Sequence, residues 1–91
     1  MKAETKQQIL SRLRRIEGQV RGLQRMVEED RYCIDILTQT ASTTAALYGI
    51  RDMLMTQHLE TCVAASLEND DPEEKRERID EVITVFSRFR K

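Results

Sequence analysis

Six apolar residues, Ile9, Leu13, Ile16, Val20, Leu23 and Val27, recur at 4-3-4-3-4 spacing, and only a helix brings positions so spaced onto one side. The pattern predicts a bundle-type helix from about Glu4 to Glu29 with a buried seam. Residues Glu28 to Cys33 hold a turn, and Asp30 suits the N-cap of a second helix running to about Leu67. From Thr38 to Met55 there is no proline, and Gly49 is tolerable inside a helix. Asn69-Asp70-Asp71-Pro72 then breaks the chain, with Asp71 as N-cap and Pro72 at the first position of a third helix ending near Phe89. Neither a strand pattern nor a repeat is present. The expectation is one all-α domain over residues 1–91, a three-helix protomer whose first two helices form an antiparallel hairpin.

Ninety-one residues make a single small core, marginal alone and often completed by self-association. No apolar run is long enough to span a membrane and the amino end carries no signal-peptide pattern, so the chain reads as cytoplasmic. The net charge of −1 conceals an uneven distribution: residues 1–27 carry seven basic groups against Glu4 and Glu17, whereas the acids crowd toward the carboxyl end. An oligomer would thus present basic faces on a near-neutral body.

The two cysteines and the single histidine are Cys33, His58 and Cys62. On an ideal helix His58 and Cys62 lie about −20° and +20° from Cys33, so all three share a face, but the rise puts them roughly 37–43 Å away along the axis. They cannot meet within one such helix. Two helices packed antiparallel about a twofold axis would bring Cys33 of one protomer level with His58 and Cys62 of the other, twice over. The midpoint of that arrangement falls near residues 46–47, inside the small-residue run from Ala41 to Gly49, which would allow close backbone approach. The alternative is that these small residues simply fill space beside the first helix. Arg51 interrupts the stripe without evident purpose.

Two thiolates and one imidazole suit Cu(I), which accepts low coordination and prefers sulfur. Zinc would normally take a fourth ligand. An intrachain disulfide is excluded by the same geometry, and in a reducing compartment the thiols are free. No acid–base pair or activated nucleophile is evident, so an enzyme is not expected.

Arg14, Arg21 and Arg25 point within about 20° of one direction, opposite the apolar seam, and Lys6, Arg12 and Arg15 broaden that surface. Repeated in an oligomer, such a stripe suits phosphate contacts along a duplex. An ordinary solvated helix face has the same composition. The second helix is too long for a standard helix-turn-helix reader.

The segments Arg-Leu-Arg-Arg-Ile-Glu-Gly-Gln-Val-Arg-Gly at 12–22, Asp-Arg-Tyr-Cys-Ile-Asp-Ile-Leu-Thr-Gln at 30–39 and His-Leu-Glu-Thr-Cys-Val at 58–63 closely resemble the copper-sensing operon repressors, CsoR type. The resemblance covers nearly the whole chain. It implies a four-helix-bundle dimer assembled as a dimer of dimers, and a repressor that binds double-stranded operator DNA when metal-free. Cu(I) binding would release the DNA and derepress copper-resistance genes. It implies Cys33, His58 and Cys62 as the intersubunit metal ligands, with Tyr32 and Glu81 linking the site to the DNA-binding surface; Asp80 or Glu77 could replace Glu81. It further implies Arg12 as a DNA-contact residue, to which the charge pattern adds Arg14, Arg15 and Arg21. The same scaffold serves nickel/cobalt, formaldehyde and persulfide sensors. A persulfide sensor using Cys33 and Cys62 is the leading alternative, and His58 is the residue that favours metal. A helical assembly module without ligand is the alternative of another class.

Overall fold

The computed structural model describes residues 1–63, 65, 68 and 71–89, apart from the side chains of Cys62, Val63 and Phe89. It contains three α-helices, α1 (Ala3–Glu28), α2 (Cys33–His58) and α3 (Pro72–Phe89), with a π-helical turn (Leu59–Val63) directly following α2. The chain divides into two compact units, Met1–Met55 and Thr56–Lys91.

In the first unit α1 and the adjoining length of α2 form an antiparallel hairpin. Ile9 and Ile16 on α1 meet Ile50 on α2, with Ala46 and Met53 against them. The six-residue seam does not act as one surface. Ile9 and Ile16 are 7% and 6% exposed, whereas Val20 and Val27 are 44% and 60% exposed and Leu13 sits with them. Leu13 and Val20 lie to one side of Ile9 and Ile16 by about 20–60° around the helix, while Val27, about five full turns from Ile9 and at the same angle, lies at the far end of α1, beyond the three-residue core.

The turn between α1 and α2 departs from expectation at Asp30. This residue has φ 53°, its N–H donates to the Val27 carbonyl at 3.1 Å, and the Arg31 N–H donates to Met26 at 3.0 Å. That pair of bonds is a Schellman closure of α1 with Asp30 at the left-handed position, a place usually given to glycine. Asp30 is therefore the end of the first helix and not the cap of the second. The N-cap position of α2 belongs to Tyr32, whose carbonyl accepts the N–H groups of Asp35 and Ile36 at 3.0 and 3.2 Å.

In the second unit the expected continuation of α2 to Leu67 is replaced by the π-helical turn; Leu67 itself lies outside the described residues. The Thr61 hydroxyl donates to the Gln57 carbonyl at 2.7 Å, and the buried Gln57 side-chain amide reaches Thr61 Oγ1 at 3.4 Å. The same hydroxyl-to-i−4 bond occurs at Thr38, Thr40 and Thr43 within regular α2, so it accompanies the π turn without distinguishing it. The turn packs against α3. That helix starts as expected: Asp71 Oδ1 accepts the Glu73 N–H at 3.0 Å, the Asp71 carbonyl accepts Lys75 N–H, and Pro72 takes the first position, where no N–H is needed. Glu73 and Glu74 in its first turn and Arg88 in its last complement the helix dipole.

Candidate metal centre and nucleic-acid face

Cys33 is the first residue of α2, a free and exposed thiol. Its placement follows from the Schellman turn, which delivers Tyr32 as the cap and Cys33 as the first helical residue. His58 is the last residue of α2 and half-buried. Cys62 lies within the π-helical turn, and its side chain is outside the described residues. No group of three or more His, Cys, Asp or Glu side chains capable of holding an ion occurs among the described residues of one protomer.

The π-helical turn alters the reading of the His-x-x-x-Cys pair. With i→i+5 bonding the two residues no longer obey the α-helical i,i+4 relation assumed from sequence, and single π turns are frequent at functional sites. Gln57 and Thr61, which hold this turn at its near end, were not singled out from the sequence. The signal was a threonine four residues after a glutamine and one before a cysteine, too common to notice without the fold.

Tyr32 contributes a backbone carbonyl to α2 and is itself 68% exposed. Glu81 accepts a hydrogen bond from Arg78 at 2.9 Å, one turn earlier on α3, with both side chains substantially exposed. Asp80 lends its carbonyl to the Thr84 hydroxyl. Arg51, unexplained from sequence, lies 4.7 Å from the centre of the Tyr48 ring and 3.3 Å from Asp52 Oδ1. That geometry combines a cation–π contact with an ion pair on the outer side of α2.

The arginines of α1 divide between its two edges. Arg12 and Arg15 stand on the edge facing α2, where they line a cavity of about 280 Å³ with Ile16, Gln19 and Ala46. A Cβ at Gly49 would stand 3.4 Å from Arg12 Nη1, an ordinary van der Waals distance, so this guanidinium lies against α2 at that point. Ala46 and Gly49, read from sequence as part of a crossing between protomers, are thus occupied within the hairpin. Arg14 and Arg21 lie on the other edge, where with Glu17 they flank an apolar groove of Leu10, Leu13, Ile16 and Val20. The Arg21–Glu17 pair is 3.9 Å apart and largely exposed, which leaves both charges free to meet a partner at small cost. Among the described residues, no helix is long and apolar enough to cross a membrane.

Comparison with known proteins gives a consistent result. The family model for the metal-sensitive transcriptional repressors matches residues 5–88. The copper-sensing transcriptional repressor CsoR of Bacillus subtilis (strain 168) is 45% identical over 89 residues, covering 98% of this chain and 85% of that one. The crystal structure of the copper-sensing repressor CsoR with Cu(I) from Geobacillus thermodenitrificans NG80-2 superposes with a TM-score of 0.88 at 40% identity, covering 100% of this chain and 92% of the other. A single-substitution variant of the formaldehyde-responsive regulator FrmR from Salmonella enterica serovar Typhimurium gives a TM-score of 0.79 at 30% identity, with 98% of each chain covered.

Proposed function

Because this chain belongs to the family of metal-sensitive transcriptional repressors, we propose that it is a Cu(I)-responsive repressor, bound to operator DNA when metal-free and released when Cu(I) binds. The observation that carries this reading is the similarity, across almost the whole chain, to copper-sensing repressors including one solved with Cu(I). The presence of His58 beside the two cysteines supports it chemically. Two soft sulfurs and one borderline nitrogen are a donor set for Cu(I).

Cys33 of one protomer joins His58 and Cys62 of a second, in a symmetric pair of sites. The assembly is a homodimer built as an antiparallel four-helix bundle, paired again into a homotetramer. His58, half-buried at the end of α2, would hold the ion together with the exposed Cys33 of another protomer, and the ion would supply the link between the two subunits. Tyr32 stands next to the Cys33 ligand on one side of that site. A carboxylate of α3, Glu81 in the first instance, accepts the remaining imidazole N–H, fixes its tautomer and exchanges its bond with Arg78 for one with His58. Arg12, Arg14, Arg15 and Arg21 supply the phosphate contacts, and the operator drives genes for copper resistance. Linkage requires DNA to weaken Cu(I) binding by the factor by which Cu(I) weakens DNA binding, typically about 1–3 kcal/mol.

The test is an anaerobic Cu(I) titration of reduced protein in the presence of its upstream DNA, for wild type and His58→Ala. One Cu(I) per subunit, DNA release at saturation and loss of release in the variant are expected. Weak copper binding with release only after persulfide treatment would replace the metal reading with sulfur sensing through Cys33 and Cys62.

A further inference from the structure

The groove between α1 and α2 contains one polar atom that neither the fold nor the metal site uses. Gln19 Oε1 is buried, with no hydrogen-bond partner among the described residues. It lines the same cavity as the guanidinium-bearing Arg12 and Arg15. A buried acceptor without a donor is costly and is rarely left so. Arg15 lies one turn before Gln19 on the same helix, the i,i+4 relation in which side chains meet, and side chains on a helix lean toward its amino end. The Gln19 carboxamide therefore projects over the turn that carries Arg15. Two cations lining the cavity also favour the oxygen inward, because a reversed amide would turn its NH₂ toward them.

We propose that Gln19 is a positioning residue for DNA binding: its carboxamide oxygen, unpartnered among the described residues of the free protein, accepts the inner N–H edge of the Arg15 guanidinium when DNA binds, so that the outer edge is presented with Arg12 to a single backbone phosphate at the α1–α2 groove. The proposal rests on the reading of α1 as the DNA-binding element. A guanidinium offers five donors in a rigid planar fork, so it can satisfy a buried carbonyl on one side and a phosphate on the other. Arg12 reaches the same phosphate from the α2 side of the cavity, where its guanidinium lies beside Gly49. Gln19 then adds no charge and still affects a purely ionic contact, by removing the freedom of Arg15 to point elsewhere.

The experiment is a salt titration of operator affinity for wild type, Arg15→Ala, Gln19→Leu and the double variant, with Gln19→Met as a second, unbranched replacement that also lacks the acceptor. Arg15→Ala should lose about tenfold in affinity and reduce the slope of log affinity against log salt by about one phosphate contact. Gln19→Leu and Gln19→Met should each lose roughly three- to tenfold with a reduced slope, and should add nothing further in the Arg15→Ala background. Cu(I) affinity and stoichiometry should stay at the wild-type value throughout. If Arg15→Ala weakens binding but the Gln19 variants do not, or if the losses multiply in the double variant, Gln19 has no positioning role. Should Arg15→Ala leave both affinity and slope unchanged, the assignment of this edge of α1 to DNA falls, and the role of Gln19 with it.

Discussion

The hairpin of residues Met1–Met55 and the unit Thr56–Lys91 are held by different forces. The hairpin has a core across two helices, Ile9 and Ile16 against Ile50. In the second unit Val82 is the one buried apolar side chain among the described residues, and order comes from local bonds: Thr61 to Gln57, Asp71 to Glu73, Arg78 to Glu81. Both units leave apolar stripes uncovered, Leu13, Val20 and Val27 on α1 and Ile79, Ile83 and Phe86 on α3. A chain of this size gains by covering such stripes through self-association. The proposed donors are distributed likewise, Cys33 in the hairpin and His58 with Cys62 in the other unit. A site so divided would report on assembly as well as on metal.

The largest expected effect separates a shared site from a private one. Cys33→Ala and His58→Ala should each weaken Cu(I) binding by more than about 100-fold, since even the loss of an outer partner costs roughly 10–100-fold. Mixing the two variants under conditions of subunit exchange should restore about a quarter of the wild-type sites, because half of randomly paired dimers hold one intact set. Titration of the mixture with a Cu(I) competitor measures this, and no recovery would sink the intersubunit arrangement.

The contrast between core and local order predicts a smaller effect. Ile16→Ala should destabilise by about 2–5 kcal/mol in denaturant unfolding at fixed protein concentration, and Val82→Ala by about 1–2 kcal/mol. Equal losses would mean that the second unit has a core comparable to that of the hairpin.

Smaller still are the effects at two aspartates that look alike in sequence, each placed just before a helix. Asp71→Ala removes a real cap and should cost about 1 kcal/mol. Asp30→Gly should stabilise by about 0.5 kcal/mol, since relief of the left-handed backbone, worth about 1–2 kcal/mol, outweighs the entropy of glycine, about 0.5–1 kcal/mol. Thermal unfolding of both variants checks the opposite signs.

Those aspartates show where sequence reasoning stops. Asp71 was legible because Pro72 follows it, and a proline specifies its own position at a helix start. Asp30 precedes a helix in sequence yet serves the one before it, because the Schellman bonds between Met26 and Arg31 depend on a backbone angle that side-chain type hardly signals. The helix count and the bounds of α1 and α3 within a residue followed from periodicity and composition. The π-helical turn did not, since the threonine hydroxyl bond that accompanies it at Gln57 also occurs at Thr38, Thr40 and Thr43 within regular helix.

Residue order alone was enough for an all-α chain with basic groups gathered on its first helix and with Cys33 and His58 at the two ends of its second. Helix periodicity is a property of neighbours a few residues apart, and so is written locally. Which side of α1 is covered, which of its arginines face α2, and how Gln19 comes to be buried without a partner among the described residues were decided by the packing of α1 on α2. A helix of even spacing does not state which part of its arc a neighbour will take, and only the fold makes that choice.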